Sequence, residues 1–475
     1  MNKSISPERY LLLFMPWIIA SLLADHPVSS YLIAWLGSFF IFYASLKGWV
    51  RPLPDDVPVE QQLLRPIFLT QVIFAAYMCC TSIFYFIDIL GYIDFKKVSN
   101  FYLVDQKRLL LTAQCQRYYC LGHAAFTSGI LIIMQYPIRR KYTCNARKLS
   151  VLVFNITLAS FAASLGFRFF PALAQFVHHF DSLTFIAATL SLAMSITERN
   201  IIRIMASMLM YGFNLYGALL SGFKEPVILS VLILGIFLYP SYRRTVALIF
   251  IPTMVALFLV LPTYNRVFRQ HAWFGTQSTA QASKMALNSI LHHADQESNW
   301  PFFAYRLSEI DMFTKYLDST PSTVDFYGTQ LLTQALTAII PRALWPSKPI
   351  TEDQVMERVY AAGVVSKNST VSAKPAFIVD SYLSGGVPGI FIFLLGYGAI
   401  CQFIANRAEK LFGGYLLGTS VFFTGLFQVF WRGQSFEFLL NAIIWSYVTM
   451  YLIFKFLLHI NILKRIENPA DQRIV

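Results

Sequence analysis

Runs of apolar residues long enough to cross a lipid bilayer alternate with short polar segments along almost the whole chain. A membrane-crossing helix needs about 20 mostly apolar residues, slightly fewer when flanking side chains snorkel. Twelve runs meet or approach that length, at residues 10–25, 30–46, 67–92, 118–136, 149–166, 181–196, 201–220, 227–240, 245–262, 388–405, 411–430 and 437–458. They predict an all-α polytopic membrane protein of about 12 transmembrane helices. The run Tyr10 to Ala24 follows Lys3 and Arg9 as a signal peptide would. It has no small-x-small cleavage site, however, and the loop parity needs it as a first span.

The one long interruption divides the chain into spans one to nine (1–262), a large external loop (263–387), and the last three spans with a tail (388–475). Its charges are balanced, which fits a folded polar region and not a disordered charge run. Inside it Phe326 to Ile340 is apolar for only about 15 residues, too short to cross. With Pro341 as its stop, this predicts a re-entrant or interfacial half-helix.

The composition agrees, with 56% apolar and only 13% charged residues, about half the charged share of a soluble domain. A formal charge of +13 raises nucleic acid as a partner, but the Lys and Arg residues sit mostly in short loops between apolar runs, the arrangement that fixes membrane topology. No nucleic-acid role is expected. With the N-terminus inside, alternation places Arg139, Arg140, Lys141, Arg147 and Lys148 on the cytoplasmic side. The same holds for Arg199 with Arg203, Arg243 with Arg244, Arg407 with Lys410, and Lys464 with Arg465. Both termini are then cytoplasmic. The outer side receives the segments from Gly91 to Arg117, around Arg168, from Ser221 to Pro226, from Pro262 to Val387 and from Trp431 to Phe436. The 6 cysteines show neither CxxC nor metal-ligand spacing. Cys115 and Cys120 are open to either pairing or inert burial, and neither a metal nor another cofactor is expected.

Three segments carry a resemblance: FYGTQLL (Phe326 to Leu332), IIPRALWPSKP (Ile339 to Pro349) and DSYLSGGVPGIFIFLLGYG (Asp380 to Gly398). Over these roughly 90 residues the chain resembles the polysaccharide polymerases of the Wzy type. In that family an Arg followed by an acidic residue precedes an apolar half-helix, which ends in Pro-Arg and a Trp-Pro-x-Lys-Pro turn. Arg306, Glu309, Pro341, Arg342, Trp345, Pro346, Lys348 and Pro349 occupy those places, and Gly385, Gly386 and Gly389 the glycine-rich entry to the next span. The resemblance implies a metal-independent glycosyltransferase of the bacterial inner membrane. It would join undecaprenyl-pyrophosphate-linked oligosaccharides on the periplasmic side, among membrane lipids, with a flippase and a chain-length regulator as partners. The SGFKEP turn departs from the family pattern, with Lys224 where Arg is common, and Lys acts only as a point charge.

Site candidates follow from the leaving group, a diphosphate whose charge must be neutralised as it departs. Arg306 and Arg342 would stabilise it and Glu309, or Asp311, would deprotonate the attacking hydroxyl. Arg168, Lys224, Arg266, Arg269, Lys348 and Arg432 would bind substrate. The alternative for each cation is snorkelling to headgroups or an ordinary ion pair. For Arg306 and Glu309, three apart, that alternative is a pairing on one helix face. Asp325, Glu352, Asp353, Asp380, His271, His292 and His293 are further acid–base candidates. Tyr264, Trp273, Trp300, Phe302, Phe303, Tyr305, Tyr316 and Tyr327 offer rings either for sugars or for the membrane interface.

Overall fold

The computed structural model describes residues 6–466 apart from 145–147, 171–173, 274, 276, 292–297, 343 and 369–372, without the side chains of Ile73, Tyr77, Ala174, Gln175 and Lys224. Helices α1 (Glu8–Leu22) and α2 (Pro27–Leu46) form a hairpin. A third apolar segment runs through α3 (Pro66–Leu69), a π-helical stretch (Ile73–Cys80) and α4 (Ser82–Ile89). Strands β1 (Tyr92–Ile93) and β2 (Lys96–Lys97) lead to α5 (Gln106–Ile133), and β3 (Tyr142–Cys144) precedes α6 (Leu149–Arg168). Next come α7 (Ala174–Thr197), α8 (Ile201–Leu220), α9 (Lys224–Leu238) and α10 (Arg243–Ala272). The long interruption holds α11 (Thr279–Leu291), α12 (Trp300–Arg306), α13 (Ile310–Ser319), α14 (Gln330–Ile339) and α15 (Thr351–Ala361). The chain closes with α16 (Phe377–Leu411), a second π-helical stretch (Leu416–Phe423), α17 (Thr424–Leu426), α18 (Val429–Arg432), α19 (Phe436–His459) and β4 (Leu463–Arg465).

Seven of the described helical segments are long and apolar enough to cross a membrane: Pro27–Leu46, Pro66–Ile89, Leu149–Arg168, Phe176–Thr197, Arg243–Ala272, Phe377–Leu411 and Phe436–His459. The protein is a membrane-embedded, predominantly helical chain with almost no sheet. The five remaining expected runs are also helical, and three of them differ for identifiable reasons. Helix α1 has 15 residues and contains Pro16. The 411–430 run is divided among the end of α16, a π-helical stretch and two short helices. Helix α5 is long enough but carries polar residues in its first half, where Asp105 caps it by accepting the Arg108 N–H at 3.1 Å. It therefore begins well before the expected residue 118, and Arg117 lies inside a helix, not at the end of an outer loop.

Helix α5 is the central column. Every residue from Tyr119 to Leu131 is buried, so it needs no amphipathic stripe. Helix α16 packs along it at backbone contact. A Cβ on Gly129 would lie 2.1 Å from the Leu395 carbonyl oxygen, and one on Gly398 would lie 2.0 Å from that of Phe126. Small residues on facing helices permit this approach, in the manner of membrane helix pairs. Helix α16 itself breaks at Gly385 and Gly386, the latter in the left-handed region at φ 64°. The straight part from 387 to 411 is about 37 Å long at 1.5 Å per residue, enough to cross a hydrocarbon layer of about 30 Å.

The five basic segments that alternation assigns to one side meet at one end of the bundle. Strand β3 pairs with β4, matching Thr143 to Lys464. The Lys141 N–H donates to the Lys410 carbonyl at 3.2 Å. Arg203 donates to Ser150 beside the 147–148 segment, and Arg243 lies 3.7 Å from Glu60, near the start of α3. Gly398→Leu is expected to cost about 3 kcal/mol, the upper part of the range for overpacking, because its side chain would meet the α5 backbone. Gly396→Leu, with open space around its Cβ, is expected to be tolerated. Thermal unfolding of the two purified variants in one detergent checks this.

Candidate functional site

The opposite end of the bundle is organised by a buried ionic knot. Arg358 on α15 donates from Nε and Nη2 to both oxygens of Asp380, each at 2.9 Å. From Nη1 and Nη2 it donates to both oxygens of Glu437, each at 2.8 Å. All three side chains are buried, and Asp380 also accepts the Phe436 N–H at 2.9 Å. The knot thus ties α15 to the first turn of α16 and the first turn of α19. Burial, opposed more strongly by the two carboxylates, leaves the Arg358 guanidinium more firmly protonated than usual. A second knot stands at the other end of α16, where buried Arg65 binds Asp56 at 2.7 Å and Glu409 at 3.2 Å, with the Tyr136 ring 3.8 Å from its guanidinium carbon.

The candidate cations fall into separate groups on the side of the bundle that carries the Arg358 knot, Arg168 and Arg432, Arg269 and Arg306, and Arg342 with Lys348, the last lying part-way along α19. Arg432 is ion-paired with Glu225 at 2.8 Å and Arg168 with Asp181 at 3.2 Å. Arg269 donates to the Gly222 carbonyl at 3.0 Å and lies 4.5 Å and 5.2 Å from the Trp273 and Phe223 ring centroids. Arg306 is near enough to Arg269 for the two charges to repel, and Arg266 lies one turn earlier on α10. Lys224 opens α9, its side chain outside the description. Helix α14 lies along α19, and the Trp445 indole donates to the Ile339 carbonyl at 3.0 Å, about 14 Å from the start of α19 at 1.5 Å per residue. The Lys348 ammonium caps this half-helix by donating to Ala338 and Ile340 at 2.7 Å and 2.9 Å. Burial and the neighbouring Arg342 charge lower its pKa from the ordinary value. Arg342 is exposed and makes no ion pair or hydrogen bond among the described residues.

Some expectations change. Arg306 ends α12 and Glu309 stands at the N-terminal boundary of α13 without a side-chain cap, with a break at 307–309, so the two do not share a helix face. Glu309 is half-buried and within electrostatic reach of Tyr316. Asp311 is held by the Tyr85 hydroxyl at 2.9 Å and by Arg108 at 3.5 Å, and Asp380 belongs to the knot. Tyr264, Trp300 and Tyr316 are buried packing residues, and the Trp300 indole and Tyr305 hydroxyl both donate to Asp88. Cys115 and Cys120 are buried free thiols. His292 and His293 lie outside the described residues. Among the described residues no three His, Cys, Asp or Glu side chains come together as a metal site.

Between α7, α8, α9 and α19 lies a cavity of about 680 Å³, lined in part by Asp181, Asn214, Ser230, Arg432 and Asn441. Asp181, Ser221, Arg432 and Gln434 form the part of its lining nearest the end of the bundle that carries the Arg358 knot. The profile of a family described as Domain of unknown function (DUF8712) matches residues 15–465. The chain belongs to that family. No curated protein and no solved structure matches it.

Neither knot nor cavity was anticipated from the sequence. The available signals were charged or amide residues at the margins of apolar runs, Asp181, Glu409 and Glu437, or within them, Asn214 and Asn441. Arg358→Met is expected to destabilise the fold by about 3–5 kcal/mol, because it leaves two buried carboxylates facing each other without their cation. Adding Asp380→Asn and Glu437→Gln is expected to restore part of the loss, read as the midpoint of thermal unfolding in detergent.

Proposed function

We propose that the protein is a polysaccharide repeat-unit polymerase of the bacterial inner membrane, with about 12 spans, both termini cytoplasmic and the cation-bearing end periplasmic. A hydroxyl of one lipid-linked oligosaccharide attacks the anomeric carbon of another. A C–O bond forms, the bond from that carbon to the diphosphate oxygen breaks, and undecaprenyl pyrophosphate leaves with the electron pair. The hydroxyl proton passes to a carboxylate, for which Glu309 remains the candidate. Arg306 and Arg342 offset the charge that develops on the leaving diphosphate.

The observation that carries the reading is Arg342, an exposed cation with no ion pair among the described residues, beside Lys348 at the end of a half-helix braced against Trp445. The segment 339–349 that resembles Wzy-type polymerases includes that turn, and 326–332 leads into the same half-helix. A flippase and a chain-length regulator would supply substrate and set product length. One observation favours a transporter of lipid-linked sugars as a second reading: the π-helical stretches at Ile73–Cys80 and Leu416–Phe423 interrupt two apolar segments, and broken helices are common in transporters. A ligase placing finished glycan on another acceptor would share the polymerase chemistry.

Arg342→Ala and Arg306→Ala are each expected to leave the protein level unchanged and to slow chain extension by at least about 100-fold, the scale of losing one charge-stabilising donor. The measurement is a sized gel of products from defined lipid-linked repeat units, with and without chelator. Normal long polymer from both variants would defeat the assignment.

A further inference from the structure

The cavity between α7, α8, α9 and α19 has a chemistry unlike that of the Arg342 turn. Its two charged lining side chains are already neutralised, Arg432 by Glu225 at 2.8 Å and Asp181 by Arg168 at 3.2 Å, with Ser164 also donating to Asp181. Among the described side chains the wall therefore carries no net charge. The rest of its polar lining consists of amides, hydroxyls and imidazoles set into helices that are otherwise apolar.

These groups lie well inside the bundle. Asn214 is six residues from the end of α8, about 9 Å at 1.5 Å per residue. Asn441 is five residues into α19, about 8 Å, and Ser446 ten residues, about 15 Å. Polar side chains at such depth are costly unless something there answers them. Several are answered within the protein: Asn214 donates to Met210, Ser446 meets His179 at 3.0 Å, and Gln428 donates to Ser182. The side chains of Asn441 and Gln434 line the cavity and make no hydrogen bond among the described residues.

A diphosphate with two or three negative charges would gain little from an electrically neutral wall. A polyol gains from each donor and acceptor in turn, because every sugar hydroxyl both gives and accepts a hydrogen bond. The volume of about 680 Å³ lies in the range of about 300–1,000 Å³ typical of small-molecule sites. We propose that this cavity is a saccharide subsite, holding uncharged sugar residues of the growing or incoming glycan while the phosphates stay at the Arg342 turn. The identity of the glycan rests on the polymerase reading, whereas the preference for neutral sugar over phosphate rests on the cavity.

The test uses full-length protein in lipid nanodiscs. The probe is the glycan pool released by mild acid from the lipid fraction of producing cells and freed of phosphate by phosphatase. Binding of this pool, followed by calorimetry, is expected for the wild type and weakened at least tenfold by Asn441→Leu and by Asn214→Leu. Gln434→Ala at the mouth is expected to weaken it less, and covers the case in which a leucine variant does not fold. Inorganic pyrophosphate binding is expected to be unchanged in all three. Absence of binding to the wild type, glycan binding indifferent to the three substitutions, or loss of pyrophosphate binding instead would overturn the proposal. The two readings fail separately. Polymer formation with glycan binding indifferent to the cavity removes only the subsite, and cavity-dependent glycan binding without polymer formation removes only the polymerase.

Discussion

A guanidinium buried between two carboxylates is the constraint on which the arrangement depends, and it occurs twice, once toward each end of α16. Removing such charges from water costs several kcal/mol per ion, so each knot persists only because its hydrogen bonds are nearly complete. Arg358 uses three of its nitrogens on four carboxylate oxygens, and one of those oxygens also takes the Phe436 N–H. Arg65 does the same with Asp56 and Glu409, and Thr419 donates to Glu409 from the second π-helical stretch. Between the knots α16 crosses the bundle in contact with α5. The two ends of the protein are thereby held at a fixed separation.

The Arg358 knot also explains how an interruption of over a hundred residues acts as part of the bundle. It draws α15 onto α16 and α19, while α12 and α13 dock on α4 and α5 through Asp88, Asp311 and their aromatic partners. Helix α14 is then pressed along α19, its last carbonyls taken by Trp445 and Lys348. A short helix ending among membrane helices would otherwise leave those carbonyls unsatisfied. The basic turn at its end is held there by side-chain hydrogen bonds to those carbonyls.

Much of this was legible in the sequence, and the limits have physical causes. Apolar run length located the helices, and Pro341 stopped α14 at Ile339 because a residue before proline is driven out of helical geometry. The glycines before Pro388 marked the break in α16. The spacing of Arg306 and Glu309 misled, since three residues imply a shared face only if the helix continues, and it ends at Arg306. Helix α5 extends well before its apolar run because a helix enclosed by protein tolerates polar residues that lipid would not. The knots could not be read at all: Arg358, Asp380 and Glu437 are brought together from three elements, and nothing local to any one of them names its partners. The cavity residues left a trace, as lone amides and acids in apolar runs, but only the assembled bundle shows that they share one space.

In the proposed topology the candidate cations share one face of the membrane and the topological lysines and arginines the other. It is tested most directly by labelling single cysteines, introduced at 168, 342 or 432 and at 140, 407 or 464 in a background without the native six, with a membrane-impermeant maleimide in intact spheroplasts. The account predicts labelling of the first group in intact cells and of the second only after lysis. Labelling of positions 342 and 432 from opposite sides, or of 140 and 342 from the same side, would contradict it.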